Sequence, residues 1–167
     1  MHDGLYSVEG FLGVVPLPAV HTDWIVRVKY VAELALLVTC SMDSKIKFIC
    51  LEKCKVLRVF EGHKKGVHSF EFCQAGKFIA SCGMCREVIV WSPYTMQLMS
   101  VLHGHISPVQ EICVDEEHAM LITVSVDKMI KVWDVATLAC EQTIHDQTHH
   151  RPENRLVFVF IYYYYYF

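Results

Sequence analysis

From about residue 14 to residue 144 the chain alternates short apolar runs with short polar breaks. Between Val67 and Leu102, four runs rich in β-branched and aromatic residues are separated by turn residues such as the Ala75-Gly76 pair. Runs of this length and composition predict strands. A helix would need apolar residues at a 3.6-residue spacing over ten or more positions, and no segment sustains that spacing. The pattern therefore predicts an all-β chain built from four-stranded antiparallel sheets.

The same pattern recurs every 42 residues, without an insertion, in three copies. Each copy has a histidine near its start and a tryptophan position 28 residues later. The three pairs are His21 and Ile49, His63 and Trp91, and His105 and Trp133. Three copies in register indicate a true internal repeat, in which each unit packs against its neighbours.

These features resemble the WD-repeat family of β-propellers, whose repeats of roughly 40–45 residues carry Gly-His near the start and Trp-Asp near the end. The third copy matches fully through Gly104-His105 and Trp133-Asp134, whereas the first has Ile49-Cys50 in place of Trp-Asp. The resemblance implies an incomplete β-propeller of three four-stranded antiparallel blades. We divide the chain into an N-terminal tail (1–13), three repeats over 14–144 (about 14–60, 61–102 and 103–144), and a C-terminal segment (145–167).

The C-terminal segment combines a loop with a hydrophobic tail that contains five consecutive tyrosines at 162–166. Such an uncharged run of high β propensity is prone to aggregate. Because a closed propeller needs about four to eight blades, we expect a piece of a larger propeller with a truncated or aberrant tail. The alternative is an edge strand that begins a fourth blade. Sheets left open at the ends predict self-association through the open blade edges.

The resemblance also implies a hydrogen-bonded set of Asp, His, Ser or Thr, and Trp in each blade. An imidazole, a hydroxyl, an indole N–H and a carboxylate can satisfy one another when buried. The implied sets are His21, Thr39 and Asp43 in the first copy, His63, Ser81 and Trp91 in the second, and His105, Thr123, Asp127 and Trp133 in the third. Cys85 replaces Asp in the second copy and Ile49 replaces Trp in the first, so we expect the third blade to be the most regular.

The pair Cys82-x-x-Cys85 favours a different class of function, a thiol- or zinc-dependent redox or metal-binding protein. Both cysteines occupy repeat positions, however, and a structural zinc site needs four ligands. A catalytic triad of Asp127, His105 and Thr123 meets the same objection, because those positions recur in the other copies. We therefore expect no catalytic residue, no metal and no cofactor.

The family resemblance implies a rigid platform that binds other proteins through loops gathered on one face. The residues expected to contact a partner are Trp24, Asp23, Lys64, Lys65, Met84 and Arg86. Trp24 is the first choice, since tryptophans often anchor interfaces; the alternative is that it packs against a neighbouring blade. The balance of 15 basic and 18 acidic residues argues against nucleic-acid binding.

Three further features bear on the compartment. The start of the chain lacks the basic region of a secretory signal, and its uncharged runs are shorter than the roughly 20 residues that a membrane helix requires. Eight cysteines without such a signal are typical of reduced thiols. These observations predict a cytoplasmic protein, and the divergent repeats resemble those of WD-repeat proteins in cilia and flagella.

Overall fold

The computed structural model describes residues 20–145, and within that range every extended element belongs to one of three separate sheets. The first sheet contains β1 (Ile25–Val31), β2 (Leu36–Ser41), β3 (Lys45–Cys50) and β4 (Lys55–Glu61). The second contains β5 (Val67–Cys73), β6 (Phe78–Gly83), β7 (Val88–Ser92) and β8 (Gln97–Leu102). The third contains β9 (Val109–Asp115), β10 (Met120–Ser125), β11 (Met129–Asp134) and β12 (Cys140–His145).

Each sheet is a meander in which every strand pairs antiparallel with the strand that follows it. We call these sheets the first, second and third blades. A short 3₁₀ turn, Ala32–Leu34, links β1 to β2, and no helix among residues 20–145 is long and apolar enough to cross a membrane. The predicted all-β architecture of three four-stranded antiparallel blades is confirmed, and the three described blades do not close into a ring.

The turns repeat with the same period as the sequence motifs. The residues with a left-handed backbone fall at corresponding turn positions: Ala35, Lys77 and Ala119 between the first and second strands, Ser44 and Lys128 between the second and third, and Cys54, Met96 and Leu138 between the third and fourth. A positive φ is uncommon for residues other than glycine. Its recurrence every 42 residues shows that the three blades share one backbone template.

Two apolar cores hold the blades together, one at each junction. Between the first and second blades, Val31, Val38 and Phe48 pack with Phe70 and Trp91. Between the second and third blades, the residues 42 positions later fill the same places: Cys73, Ala80, Val90, Ile112 and Trp133. Side chains alternate between the two faces of a strand, so each blade presents one face to the blade before it and the other to the blade after it. The second blade is therefore covered on both faces.

The expected N-terminal tail (1–13) and the tyrosine-rich tail lie outside the described residues. Of the segment 145–167, only His145 is described, at the end of β12.

Candidate functional site

The third blade contains the longest chain of buried polar contacts. Trp133 Nε1 donates to Thr123 Oγ1 at 2.9 Å, and His105 Nε2 lies 2.7 Å from the same hydroxyl. On the other side of the ring, His105 Nδ1 lies 3.1 Å from Ser125 Oγ, which donates to a carboxylate oxygen of Asp127. The four residues implied by the resemblance are thus brought together, with Ser125 interposed between the imidazole and the carboxylate.

The second blade has the same hydroxyl at its centre but lacks the carboxylate. Ser81 Oγ accepts from Trp91 Nε1 at 2.8 Å and lies 2.7 Å from His63 Nε2. Among the described residues, the buried Nδ1 atom of His63 has no hydrogen-bond partner. Cys85 stands where the first and third blades carry aspartate, at positions 43 and 127, which leaves this imidazole half satisfied.

The first blade keeps the carboxylate and loses the indole. His21 lies between Thr39 Oγ1 and Asp43 Oδ2, each at 2.8 Å, and the ring and carboxylate are almost fully buried. Asp43 also accepts from the backbone N–H groups of Thr22 and Lys45. Ile49 occupies the tryptophan position, so Thr39 has no indole to accept from.

Burial sets the protonation of His63 and His105. Desolvation lowers the pKa of His63 to about 4. For His105, desolvation and then the positive charge of Lys131 lower the pKa to about 4 against the opposing pull of Asp127. Burial raises the pKa of Asp43, but hydrogen bonds from His21 and the backbone outweigh that effect, so its pKa lies below the usual value. His63 and His105 are therefore neutral hydrogen-bonding spacers at neutral pH.

The expected partner-binding residues all lie at one edge of the stack, which we call the loop edge. It consists of the segments before each first strand and the turns after each second strand. Trp24 is 82% exposed, so its side chain does not pack against a blade among the described residues. The other five expected residues, Asp23, Lys64, Lys65, Met84 and Arg86, are also exposed.

Backbone hydrogen bonds tie the two kinds of segment together within each blade. Met42 N donates to Trp24 O, Met84 N to Gly66 O, and Val126 N to Pro108 O, each at 2.9 Å. In each blade, this bond places the segment before the first strand beside the turn that joins the second and third strands. The loop edge is therefore fixed by an equivalent backbone hydrogen bond in each of the three blades.

Sequence reasoning missed two exposed apolar residues of the loop edge and one polar cluster. Ile106 and Val126 are exposed at the third-blade positions that correspond to Lys64 and Met84. On the first strands of the blades, Arg27 bonds Ser69, Glu71 and Glu111, and Lys29 bonds Glu71. The signal was present in the repeat, because residues 27, 69 and 111 are spaced by 42.

Cys82 of the Cys82-x-x-Cys85 pair has the opposite character to a reactive thiol. Cys82 is fully buried on β6 in the core between the second and third blades, and burial raises its pKa well above the ordinary value. Reactive thiols need a lowered pKa and access to solvent. Within residues 20–145, no group of three or more His, Cys, Asp or Glu side chains is arranged to hold a metal ion. The structure gives no support to the redox or zinc alternative.

Comparison with known families and proteins gives consistent results. The model of the WD domain, G-beta repeat, matches residues 54–92 and 96–134. Each match covers the last strand of one blade and the first three strands of the next. The cilia- and flagella-associated protein 337 B of Tetrahymena thermophila is 28% identical over 128 residues, which are 77% of this chain and 10% of that protein. Pre-mRNA-processing factor 17 of Homo sapiens is 30% identical over 95 residues, 53% of this chain and 16% of that protein.

Among solved structures, that of U3-55K matches with a TM-score of 0.72 at 21% identity, covering 78% of this chain and 41% of that one. The RRP9 WD40 repeats match with the same values. At this identity the likeness concerns the fold. The chain spans only 3–16% of the length of the curated relatives compared with it. The two repeat matches, the 42-residue motif and the propeller-like blades together show that the chain contains WD repeats at residues 54–92 and 96–134.

Proposed function

We propose that this chain is a non-catalytic scaffold that binds other proteins through its loop edge. WD-repeat domains mediate protein–protein interactions, and the observation that carries the proposal here is Trp24, a large apolar side chain 82% exposed on a braced backbone. The hydroxyls of Thr123 and Ser81, by contrast, are inaccessible to any substrate, because both residues have an exposure of 0%. The polar sets therefore stiffen the blades, and the recognition chemistry lies outside them.

The chemistry of the loop edge favours a partner with apolar and acidic groups. In the second blade, the exposed residues of the loop edge include Met84 and the cations Lys64, Lys65 and Arg86. Complementary charge speeds association and selects partners, while apolar and aromatic anchors supply most of the affinity. We therefore expect an acidic segment with one or two apolar side chains to be the preferred ligand.

For the compartment, we propose the cytoplasm and, within it, the cilium. The support is the relative from Tetrahymena thermophila, which is named a cilia- and flagella-associated protein and aligns with 77% of this chain. The tagged full chain, expressed in ciliated cells and imaged with an axonemal marker, should overlap that marker. A signal confined to the nucleus, where pre-mRNA processing takes place, would contradict this proposal.

The binding proposal is tested with a matched pair of aromatic substitutions. Trp24→Ala removes the exposed anchor of the loop edge, and Tyr94→Ala removes an exposed ring, 52% accessible, in the β7–β8 turn at the other end of the strands. Because both side chains are exposed, each variant should keep its free energy of unfolding within about 0.5 kcal/mol of the parent.

The readout is quantitative capture of proteins from ciliated-cell extract by the tagged full chain. Loss of an interface anchor costs at least about 2 kcal/mol, roughly a thirtyfold loss of affinity. We expect Trp24→Ala to lose a defined set of captured proteins, and Tyr94→Ala to retain it. If both variants capture the same proteins as the parent, or if Tyr94→Ala loses that set, the loop edge is not the binding surface.

A further inference from the structure

The side chains of the loop edge differ from blade to blade, although its backbone repeats. At the two positions after the repeat histidine the second blade has Lys64 and Lys65, and the third residue of its β6–β7 turn is Arg86. These three side chains are exposed, and within residues 20–145 none of them forms an ion pair. Unpaired cations grouped on one blade attract an acidic group of a partner.

The blades on either side carry apolar side chains at this edge. The two most exposed large apolar residues within 20–145 are Trp24 of the first blade, at 82%, and Ile106 of the third blade, at 72%. Ile106 occupies the position of Lys64, 42 residues later, and Val126 beside it in the repeat frame is exposed as well. The cation of the third-blade turn, Lys128, is half-buried. The first and third blades therefore offer apolar anchors where the second offers charge.

Both junctions between blades join neighbouring segments of the loop edge. At the first junction, the side chain of Met42 lies so close to Gly66 that a Cβ atom added there would be 2.7 Å from Met42 Cε. At the second junction, Val109 N donates to Cys85 O at 3.3 Å, which ties the β6–β7 turn to the first residue of β9. Because the second blade packs between the other two, its basic surface lies between two apolar surfaces on one continuous edge.

The spacing of the blades sets the length of a matching ligand. Packed sheets lie about 10 Å apart, so the first and third blades are separated by about 20 Å. An extended chain rises about 3.3 Å per residue and covers that distance in about six residues. Side chains an even number of residues apart in an extended segment lie on the same face. An apolar, acidic, apolar order on one face of such a segment therefore matches this edge.

We propose that the loop edge binds an extended segment of a partner protein in which acidic residues lie between two apolar side chains about six residues apart. Trp24 and Ile106 contact the two apolar side chains. The unpaired cations of the second blade bind the acidic residues between them. This inference rests on the proposed loop-edge function, and it adds to that function a second anchor and a fixed order of groups in the ligand.

The test compares two fluorescent peptides of the same composition, titrated with the full chain and followed by fluorescence anisotropy. The matched peptide has two leucines about six positions apart, glutamates at the even positions between them and serine elsewhere. The control peptide has both leucines at one end and the glutamates at the other. We expect the matched peptide to bind at least about tenfold more tightly, because the control peptide cannot reach both anchors while its acidic groups contact the second blade.

Anchor variants locate the two ends of the ligand. Ile106→Ala and Trp24→Ala should each weaken binding of the matched peptide about tenfold, which removes most of its advantage over the control peptide. Tyr94→Ala, at the other end of the strands, should leave both affinities unchanged. Because all three side chains are exposed, the variants should keep the fold of the parent.

Charge reversal tests the middle of the ligand. Lys64→Glu/Arg86→Glu should weaken the matched peptide at least about tenfold and make its affinity less dependent on salt. Lys53→Glu/Lys55→Glu makes the same change in net charge at exposed residues near the β3–β4 turn, at the other end of the strands. This control variant should bind the matched peptide within about twofold of the parent, because salt screens charges that lie far from the ligand.

The outcomes separate this inference from the loop-edge function. Equal affinity of the parent for the two peptides, or an Ile106→Ala variant that keeps the full preference, would overturn the inference while Trp24→Ala can still lose its captured proteins. Equal loss of binding in the two charge-reversed variants would overturn it too, since net charge and not the second blade would then attract the ligand. If neither peptide binds, the inference is wrong, and the capture comparison of Trp24→Ala with Tyr94→Ala decides the loop-edge function by itself.

Discussion

The second and third blades are stabilised by different interactions. All six residues of β6 in the second blade are buried, but its histidine lacks a partner on one nitrogen. The third blade has an uninterrupted path from Trp133 to Asp127, although the second carboxylate oxygen of Asp127, Oδ2, is buried without a hydrogen-bond partner among the described residues. Five of the six residues of its outer strand β12 are exposed. An unsatisfied buried group costs about 1–3 kcal/mol, and full burial of one large apolar side chain contributes about 1.5–3 kcal/mol. In the second blade, the free energy gained by burying both faces can therefore offset the cost of the polar group left unsatisfied by the missing carboxylate.

The largest expected effect is a loss of stability in acid that comes equally from both blades. His63 and His105 have pKa values of about 4 when folded, below the ordinary value of 6.5. Between pH 6.5 and pH 4 the unfolded chain binds more protons at these two histidines than the folded chain does. Their contribution to the free energy of unfolding is therefore present above pH 6.5 and is lost as the pH falls towards 4. From pH 7 to pH 5 each histidine should cost about 2 kcal/mol.

Urea unfolding at several pH values measures this loss. His63→Gln and His105→Gln should each flatten the dependence of the unfolding free energy on pH by about half, whatever their effect at pH 7. If only His63→Gln flattens the curve, then Asp127 keeps His105 easily protonated, and the two blades differ more than their pKa values indicate.

The next effect compares the central hydroxyls of the third and first blades. Thr123→Val keeps the shape of the side chain but removes the partner of both Trp133 Nε1 and His105 Nε2. Thr39→Val removes the partner of His21 Nε2 alone. At about 1–2 kcal/mol for each stranded group, we expect losses of about 2–4 and 1–2 kcal/mol respectively in chemical unfolding at pH 7. Equal losses would show that the indole bond contributes nothing.

The smallest effect should be a gain in the second blade. Cys85→Asp restores a carboxylate at the position that faces the histidine in the first blade, and it should stabilise the chain by about 1 kcal/mol. It should also raise the pKa of His63, because a nearby negative charge favours the imidazolium. Cys85→Asn provides the neutral control and should leave that pKa near its present value. Destabilisation by the Asp variant alone would mean that the pocket is too dry for a carboxylate.

Much of the fold follows from periodicity alone. The 42-residue repeat places strands, turns and tryptophan positions in register, and the structure repeats its left-handed turn residues and its two cores with the same period. Periodicity works here because equivalent faces meet at both junctions between blades. One contact pattern therefore has to be satisfied by the same positions in every copy.

The side-chain contacts within and between the blades were harder to predict from the sequence. That Ser125 would stand between His105 and Asp127, where Asp43 contacts His21 directly, depends on small displacements of a turn. The contact of Arg27 with Glu111 joins blades that are not neighbours, and a repeat alignment compares copies without showing their separation in space. The exposure of apolar side chains at the loop edge was equally hard to predict, because the sequence alone does not distinguish an exposed apolar residue such as Ile106 from a core residue.

We propose that the repeat residues brace the blades while Trp24 is left free for a partner. The chain has three tryptophans, so a single ¹⁵N correlation spectrum followed during transfer into D₂O reports all three indole N–H groups. We expect two slowly exchanging signals, from Trp91 and Trp133, and one signal from Trp24 that is lost at once, with Trp24→Ala providing the assignment. A protected Trp24 indole, or rapid exchange at Trp133, would contradict it.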